Sequence, residues 1–212
     1  MLDFDGPVCS AFAGYPAPEV AEHLREQAAA AGVRIPARLA TESDPMVVLR
    51  ELFELASHLH EPAEAALTAA EVQSVATAEP TPGAVEFMRA CVETGRPLAV
   101  VSNNSEEAVR AFMDKHALGS LVRDVIGRDK VSPRLMKPDP HSLRLALDAL
   151  AAEPKGSVLV GDSTTDVEAA HAAGATAVGF ANRSWKAEAF RELGAEIVVH
   201  DMQELAEALL HG

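Results

Sequence analysis

Residues 158–166, VLVGDSTTD, give a clear indication of the fold of this chain. Its first half is a short apolar run typical of a buried β-strand. The run ends in Gly161 and Asp162, and a second carboxylate follows at Asp166. Because ligands of an open parallel sheet bind beyond the carboxyl ends of its strands, we expect both carboxylates to face a functional site. Taken alone, Asp162 would equally well cap the following helix.

Further apolar runs of strand length alternate with amphipathic segments along the chain. This alternation predicts an α/β fold, a Rossmann-like parallel sheet core with helices on both faces. After the N-terminus, the predicted strands are 97–102, 122–126, 158–161, 176–180 and 196–199. The predicted helices between them are 84–93, 106–116, 140–152 and 165–173.

Residues 14–78 show a different pattern, with no convincing strand. The helical patterns in this segment are 18–31, 45–59 and 62–76. A stiff connector, EPTPG at 79–83, follows them before the alternation begins. We interpret residues 14–78 as a small all-helical cap domain inserted after the first strand. Residues 1–13 and 79–212 would then form the α/β core domain.

Several helix ends carry physical markers. Asp44 before Pro45 and Asp139 before Pro140 each predict an N-cap followed by a proline in the first turn. Gly174 lies just beyond a predicted helix, at a position suited to a left-handed C-terminal cap.

The chain opens MLDFDGP, residues 1–7, which places Asp3 and Asp5 just after an apolar start. Gly6 supplies the flexibility that a turn at the end of a strand needs. Of two neighbouring carboxylates, one can act as a nucleophile while the other moves protons. Two solvated acids in a disordered terminus would give the same pattern, so this motif does not decide by itself.

Acidic clusters at several strand ends repel one another unless a cation lies among them, and Mg²⁺ suits an all-oxygen site.

Ser102 and Asn103 follow the predicted strand 97–101, where a hydroxyl and the N–H groups after it could hold phosphate oxygens. Lys137 precedes a predicted helix and could neutralise a nucleophile and bind a phosphoryl group. Taken singly, Ser102 fits an ordinary loop residue and Lys137 a surface charge. Their order along the chain makes them informative.

This order resembles that of the haloacid dehalogenase superfamily across nearly the whole chain. Its four motifs correspond to DFDG at 3–6, Ser102, Lys137 and GDSTTD at 161–166. The helical insert is similar to the cap of the phosphoglycolate phosphatase and β-phosphoglucomutase-like branch.

The resemblance implies that Asp3 attacks phosphorus and becomes an aspartyl-phosphate. Asp5 would protonate the leaving oxygen and later deprotonate the attacking water. Ser102, Asn103 and the N–H groups that follow Ser102 would bind the phosphoryl oxygens, together with Lys137.

The resemblance also implies a Mg²⁺ site. The ion would be held by the Asp3 carboxylate, the Asp5 backbone carbonyl and Asp162. Asp166 would act through water or by orienting Lys137.

The function implied is that of a Mg²⁺-dependent phosphatase for a small phosphorylated metabolite, such as phosphoglycolate or a sugar phosphate. Asp5 favours phosphoryl transfer over attack on carbon, because an ester phosphate has a poor leaving group that needs a proton. A phosphomutase stays open as an alternative, as does a catalytically silent interaction protein. The arginines of the insert that could reach a second anionic group, although they are more often solvated helix charges, are Arg25, Arg34, Arg38 and Arg50.

The formal net charge of −14 argues against nucleic acid and anionic membranes as partners, since both attract clustered basic residues. No apolar run approaches the roughly 20 residues that a membrane span needs. Cys9 and Cys91 lie far apart without metal-ligand spacing, which predicts free thiols and a cytoplasmic location.

The N-terminus departs from the family pattern in two ways. Pro7 stands where the family more often has Thr or Val, and it lacks an N–H donor. Only Met1 and Leu2 precede Asp3, whereas the family's first strand normally has several apolar residues there. We expect a misassigned start codon or a truncation, so that adding upstream apolar residues would raise the melting temperature.

Overall fold

The computed structural model describes residues 1–211 of the 212-residue chain. At its centre is a six-stranded sheet with the order β3-β2-β1-β4-β5-β6, in which all neighbouring pairs are parallel. The strands are β1 Leu2–Asp3, β2 Ala99–Val101, β3 Asp124–Ile126, β4 Val158–Gly161, β5 Thr176–Phe180 and β6 Ile197–Val199. The predicted parallel α/β fold is therefore confirmed.

Helices cover both faces of this sheet. Within residues 1–211 the α-helices are α1 Ala17–Ala30, α2 Ala37–Ala40, α3 Pro45–Leu55, α4 His60–Val75, α5 Ala84–Glu93, α6 Glu106–Lys115, α7 His141–Leu150, α8 Thr164–Ala173, α9 Lys186–Glu192 and α10 Met202–His211. Successive strand residues point to opposite faces. Thus Val160 packs in the apolar cluster of α5, α6 and α10, while Leu159 packs in the cluster of α7, α8 and α9.

Helices α1 to α4 form a separate apolar cluster of their own. Val20 and Leu24 of α1 pack there with Leu49 of α3 and Leu67 of α4, and all of these side chains are buried. Because these helices bury their apolar faces against one another, we propose that residues 14–78 form a cap domain on the α/β core.

The predicted bounds of the strands at 158–161 and 176–180 agree with the structure. The strand predicted at 97–102 is shorter in the structure, where it spans Ala99–Val101. It begins only at Ala99, because Pro97 has no N–H to donate to a ladder. The predicted strands at 122–126 and 196–199 likewise begin later, at Asp124 and Ile197.

The predicted helix 45–59 is broken in the structure. Helix α3 ends at Leu55, and Ala56 leaves the helical conformation, with φ −155° and ψ 68°, before a 3-10 turn at Ser57–Leu59. Helix α4 starts at His60, earlier than predicted, because Pro62 is tolerated in a first turn.

Two of the three predicted helix-end markers are confirmed. Asp44 caps α3 by accepting a hydrogen bond from the Met46 N–H at 2.8 Å, and Gly174 ends α8 with φ +79°. The third is wrong by one position. Pro140 itself stands at the N-cap of α7, although the Asp139 carboxylate still accepts the His141 N–H at 2.9 Å.

The two cysteines are both free, as predicted, and both are buried. Burial raises the pKa of the Cys9 and Cys91 thiols, so each stays protonated and unreactive at neutral pH. Across residues 1–211, none of the helices combines the length and the apolar composition that crossing a bilayer requires.

Candidate active site

The carboxyl ends of the three central strands bring the first and last acidic motifs together. Strand β1 lies between β2 and β4, with Asp3 opposite Val101 and Leu2 opposite Val160. The register places Ser102 and Asp162, the residues that follow β2 and β4, beside Asp3. Motifs at opposite ends of the sequence thus meet at one edge of the sheet.

Lys137 is the buried cation at the centre of this edge. Its Nζ donates to Asp3 Oδ1 at 2.6 Å and to Asp166 Oδ1 at 2.5 Å, and its side chain is only 3% exposed. Burial opposes the charged ammonium, but the attraction of Asp166 and Asp3 outweighs it and raises the Lys137 pKa. Lys137 therefore stays protonated at neutral pH.

The Asp3 carboxyl carries a pKa well above its usual range. Burial is the main cause, the negative charges of Asp166 and Asp162 add to it, and Lys137 opposes it. A carboxylate in this environment calls for more positive charge than Lys137 alone supplies.

Asp166 is fixed by the start of helix α8. Ser163 at the N-cap accepts the Asp166 N–H at 3.2 Å, and Asp166 Oδ2 accepts the Ser163 N–H at 3.0 Å, which closes a reciprocal capping box. Both Asp166 oxygens are therefore engaged, one by Ser163 and one by Lys137.

Asp5 is half-buried and lies near the Asp3 cluster. Its Oδ1 accepts the Ala11 N–H at 2.8 Å. Burial raises the Asp5 pKa to about 6, against the opposing effect of the Ala11 hydrogen bond. A carboxyl that titrates near neutrality is suited both to donate and to accept a proton.

The oxygen atoms at this edge fit a hard divalent cation. Carboxylate oxygens of Asp3, Asp162 and Asp166 lie within 4.8 Å of one another. The Asp5 backbone carbonyl accepts no hydrogen bond from any donor in residues 1–211. Such an all-oxygen donor set, with excess negative charge, suits Mg²⁺.

Asp162 also contacts two side chains that are not among the site residues predicted from the sequence. Lys186 Nζ donates to Asp162 Oδ2 at 2.6 Å, and Asn182 Nδ2 donates to the same oxygen at 2.9 Å. Both residues follow β5, which ends at the same edge as β4. The sequence predicts this strand at 176–180 but not its pairing with β4, so no signal in the sequence indicated these two contacts.

Most polar groups of the loop after β2 already have hydrogen-bond partners, within the loop or on helix α4. Ser102 Oγ accepts the Asn104 N–H at 3.0 Å, and the Ser105 N–H donates to Glu71 Oε2 at 2.9 Å. The Asn103 N–H is the loop donor left without a partner among residues 1–211. The expected row of N–H groups after Ser102 is therefore reduced to one.

Asn103 and Lys137 are held together across the site. Asn103 Oδ1 accepts the Lys137 N–H at 2.8 Å, and Asn103 Nδ2 donates to the Lys137 carbonyl at 3.3 Å. The two residues expected to bind phosphate are therefore neighbours.

A cavity of about 450 Å³ opens above the clustered carboxylates. The core lines it with Asp3, Asp5, Ser102 and Lys137, among others. The helical segment lines it with the residues Ser43, Asp44 and Arg50.

Of the four arginines considered in the insert, Arg50 is the one that lines this cavity. Arg25 instead contacts the Glu42 carbonyl, Arg38 pairs with Glu51, and Arg34 is exposed. Arg50 also donates to the Lys137 carbonyl at 3.4 Å, so it lies directly beside the clustered charges.

Known proteins share both the sequence pattern and the fold. A phosphoglycolate phosphatase from Rhodospirillum rubrum is 37% identical over 128 residues, which cover 60% of this chain and 52% of that protein. One from Pseudomonas putida is 35% identical over 98 residues, covering 46% of this chain and 35% of that protein. The chain thus aligns with about half or less of the length of these relatives.

The solved structure of CbbY from Rhodobacter sphaeroides, in complex with phosphate, has a similar fold. It superposes with a TM-score of 0.70 at 21% identity, over 96% of this chain and 94% of that chain.

The family pattern described as haloacid dehalogenase-like hydrolase matches residues 47–180, which is more than half of the chain. The matched region contains Ser102, Lys137, Asp162 and Asp166. The chain therefore belongs to the haloacid dehalogenase-like hydrolases.

Proposed function

We propose that this protein is a Mg²⁺-dependent phosphatase that hydrolyses a small phosphate monoester through an aspartyl-phosphate on Asp3. The observation that carries the proposal is the buried Lys137 ammonium, which bridges Asp3 and Asp166 beside Asp162. The names of the aligned relatives, phosphoglycolate phosphatases, agree with this chemistry.

Asp3, the Asp5 carbonyl and Asp162 are the groups that would hold Mg²⁺, with Asp166 acting mainly through Lys137. When bound, the ion would neutralise negative charge between the carboxylates and the phosphoryl oxygens. The all-oxygen donor set and the raised Asp3 pKa support this assignment.

In the first step, an Asp3 carboxylate oxygen forms a bond to phosphorus while the bond from phosphorus to the ester oxygen breaks. Protonated Asp5 gives its proton to the departing oxygen, which leaves as an alcohol. Lys137, the Ser102 hydroxyl and the free Asn103 N–H bind the phosphoryl oxygens.

In the second step, a water molecule attacks the phosphorus of the aspartyl-phosphate. Asp5, now a carboxylate, takes the proton from that water, and the bond between phosphorus and Asp3 breaks. Inorganic phosphate is released, and both carboxyl groups return to their starting states. A pKa near 6 supports both roles of Asp5.

The size and the lining of the cavity support a substrate class. A volume of about 450 Å³ suits a small metabolite, and Arg50 supplies a cation in the lining contributed by the helical segment. We propose a phosphate monoester with a second anionic group, of which phosphoglycolate is an example. Residues 14–78 would cover the site and exclude water from it.

Phosphate release from an aryl phosphate, with and without Mg²⁺, tests this proposal. Wild type should release phosphate only with the metal, and Asp3→Asn should release none while unfolding at a temperature close to that of wild type. Release from Asp3→Asn at the wild-type rate would remove Asp3 as the nucleophile.

A further inference from the structure

A buried ion cluster joins helix α4 to the loop after β3. It consists of Arg128, whose side chain is 0% exposed, and of Glu64 and Glu71, whose side chains are 8% and 1% exposed. None of these residues was expected to contribute to the site.

Arg128 contacts both carboxylates directly. Its Nη2 donates to Glu64 Oε1 at 2.8 Å, and its Nη1 donates to Glu71 Oε1 at 2.8 Å. Burial opposes the charge on Arg128, but the attraction of Glu71 and Glu64 outweighs it and raises the Arg128 pKa.

The same cluster also holds the loop after β2, residues 102–105. Arg128 Nη1 donates to the Asn103 carbonyl at 2.7 Å. Glu71 accepts from Asn104 Nδ2 at 3.2 Å and from the Ser105 N–H at 2.9 Å. Three successive loop residues are therefore fixed by two charged side chains.

The attachment of α4 to the core does not by itself explain why these three side chains are charged. Removing three charges from water is costly, and well-packed apolar side chains would attach α4 to the core at least as well. Apolar side chains, however, cannot form hydrogen bonds to a loop carbonyl and to two loop N–H groups at fixed positions.

We propose that Arg128 and Glu71 are positioning residues, which hold loop 102–105 so that Ser102 and the Asn103 N–H face the phosphoryl group. Arg128 donates to the Asn103 carbonyl, and Glu71 accepts the Ser105 N–H. With the loop held in this way, the Asn103 N–H stays free at the cavity. The proposal rests on the proposed phosphatase function, since it assigns the loop to phosphate binding.

A matched pair of variants separates positioning from stability. Glu71→Gln and Glu64→Gln each remove one negative charge from the same cluster. Only Glu71 contacts the loop, whereas Glu64 contacts Arg128 and Thr68. Glu71→Gln places an amide N–H₂ where two loop donors and Arg128 need acceptors, so the loop loses at least one hydrogen bond.

The affinity for inorganic phosphate, measured by calorimetry with Mg²⁺ present, is the first readout. We expect Glu71→Gln to weaken it about tenfold, because a loop that is correctly placed about a tenth of the time binds about tenfold more weakly. Glu64→Gln should change it less than about twofold, even if both variants unfold at similarly lowered temperatures. Equal phosphate affinities in the two variants would overturn the proposal.

Amide hydrogen exchange at Ser105 is the second readout, and it does not depend on any catalytic activity. Glu71→Gln should speed this exchange about tenfold, and Glu64→Gln should leave it unchanged. If wild type binds no phosphate, the proposed function fails, and the assignment of loop 102–105 to phosphate fails with it. Unchanged exchange in Glu71→Gln would overturn the positioning role on its own.

If Glu71→Gln does not fold, Arg128→Lys tests the positioning role instead. A lysine keeps the positive charge but cannot reach both carboxylates and the Asn103 carbonyl at once. We expect weaker phosphate binding in this variant too, by about tenfold. Wild-type affinity in a folded Arg128→Lys protein would contradict the proposal.

Discussion

At the scale of single residues, Asp5 shows how the requirements of catalysis and of stability oppose each other. Its side chain is half-buried, and desolvation in the folded state raises its pKa from 3.8 to about 6. Folding therefore favours the neutral acid, and the carboxylate form costs free energy at neutral pH. Proton transfer at the proposed site needs both forms.

Asp5→Asn should therefore stabilise the metal-free protein at pH 7.5 while slowing phosphate release. Because the folded pKa is the higher one, the penalty is absent below about pH 4, grows as pH rises and is complete above about pH 6. The shift corresponds to about 3 kcal/mol in the free energy of unfolding. Urea unfolding in chelator at pH 7.5 and at pH 4 measures it. A gain of equal size at both pH values would contradict the explanation.

Arg50 lines the cavity beside the clustered charges, so it should matter only for substrates with a second anionic group. Arg50→Gln should raise KM for phosphoglycolate about tenfold, the loss expected for one charge-assisted hydrogen bond. It should leave KM unchanged for an aryl phosphate that has no second anionic group. Arg38→Gln is the control, because Arg38 pairs with Glu51 on the surface. An equal rise for both substrates would rule out this role.

At the scale of elements, the turn after β1 depends on Gly6. Its φ is +100°, and a Cβ there would lie 2.3 Å from Asp162 Cγ. Gly156 has the same φ of +100° but open space around it. The two glycines therefore share a backbone strain and differ in their contact with the proposed metal ligand.

Gly6→Ala and Gly156→Ala should each lose about 1–2 kcal/mol of unfolding free energy from the left-handed backbone alone. Gly6→Ala should in addition displace Asp162 and raise the Mg²⁺ concentration for half-maximal phosphate release about tenfold. Denaturant unfolding and a Mg²⁺ titration of both variants test this. If the two variants require the same Mg²⁺ concentration, the turn does not position Asp162.

At the scale of the whole molecule, the strand order explains how distant motifs form one site. Strands β1 and β4 are neighbours at the centre of the sheet, although Leu2 and Val160 are far apart in the sequence. The convergence of the motifs could be predicted, because each motif follows an apolar run and all strands of a parallel sheet end at one edge. The pairing of β1 with β4 could not be predicted in this way.

The contacts around that edge could not be predicted in the same way. Lys186 reaches Asp162 because β5 pairs with β4, and Arg128 meets Glu71 because α4 packs beside α6. Neither contact leaves a local periodicity in the sequence. The ends of the predicted helices shifted for a related reason, since tertiary packing and single prolines set them rather than the apolar pattern.

In the proposed mechanism, the phosphoryl group passes through Asp3. The most direct measurement is to mix the protein with Mg²⁺ and excess aryl phosphate, quench in acid during turnover and map phosphorylation by peptide mass spectrometry. Asp5→Asn, which should hydrolyse the intermediate slowly, raises its yield, and Asp3→Asn is the control. We expect one phosphoryl group on the peptide that contains Asp3 and none in Asp3→Asn. Phosphorylation of a different residue, or its persistence in Asp3→Asn, would contradict the claim.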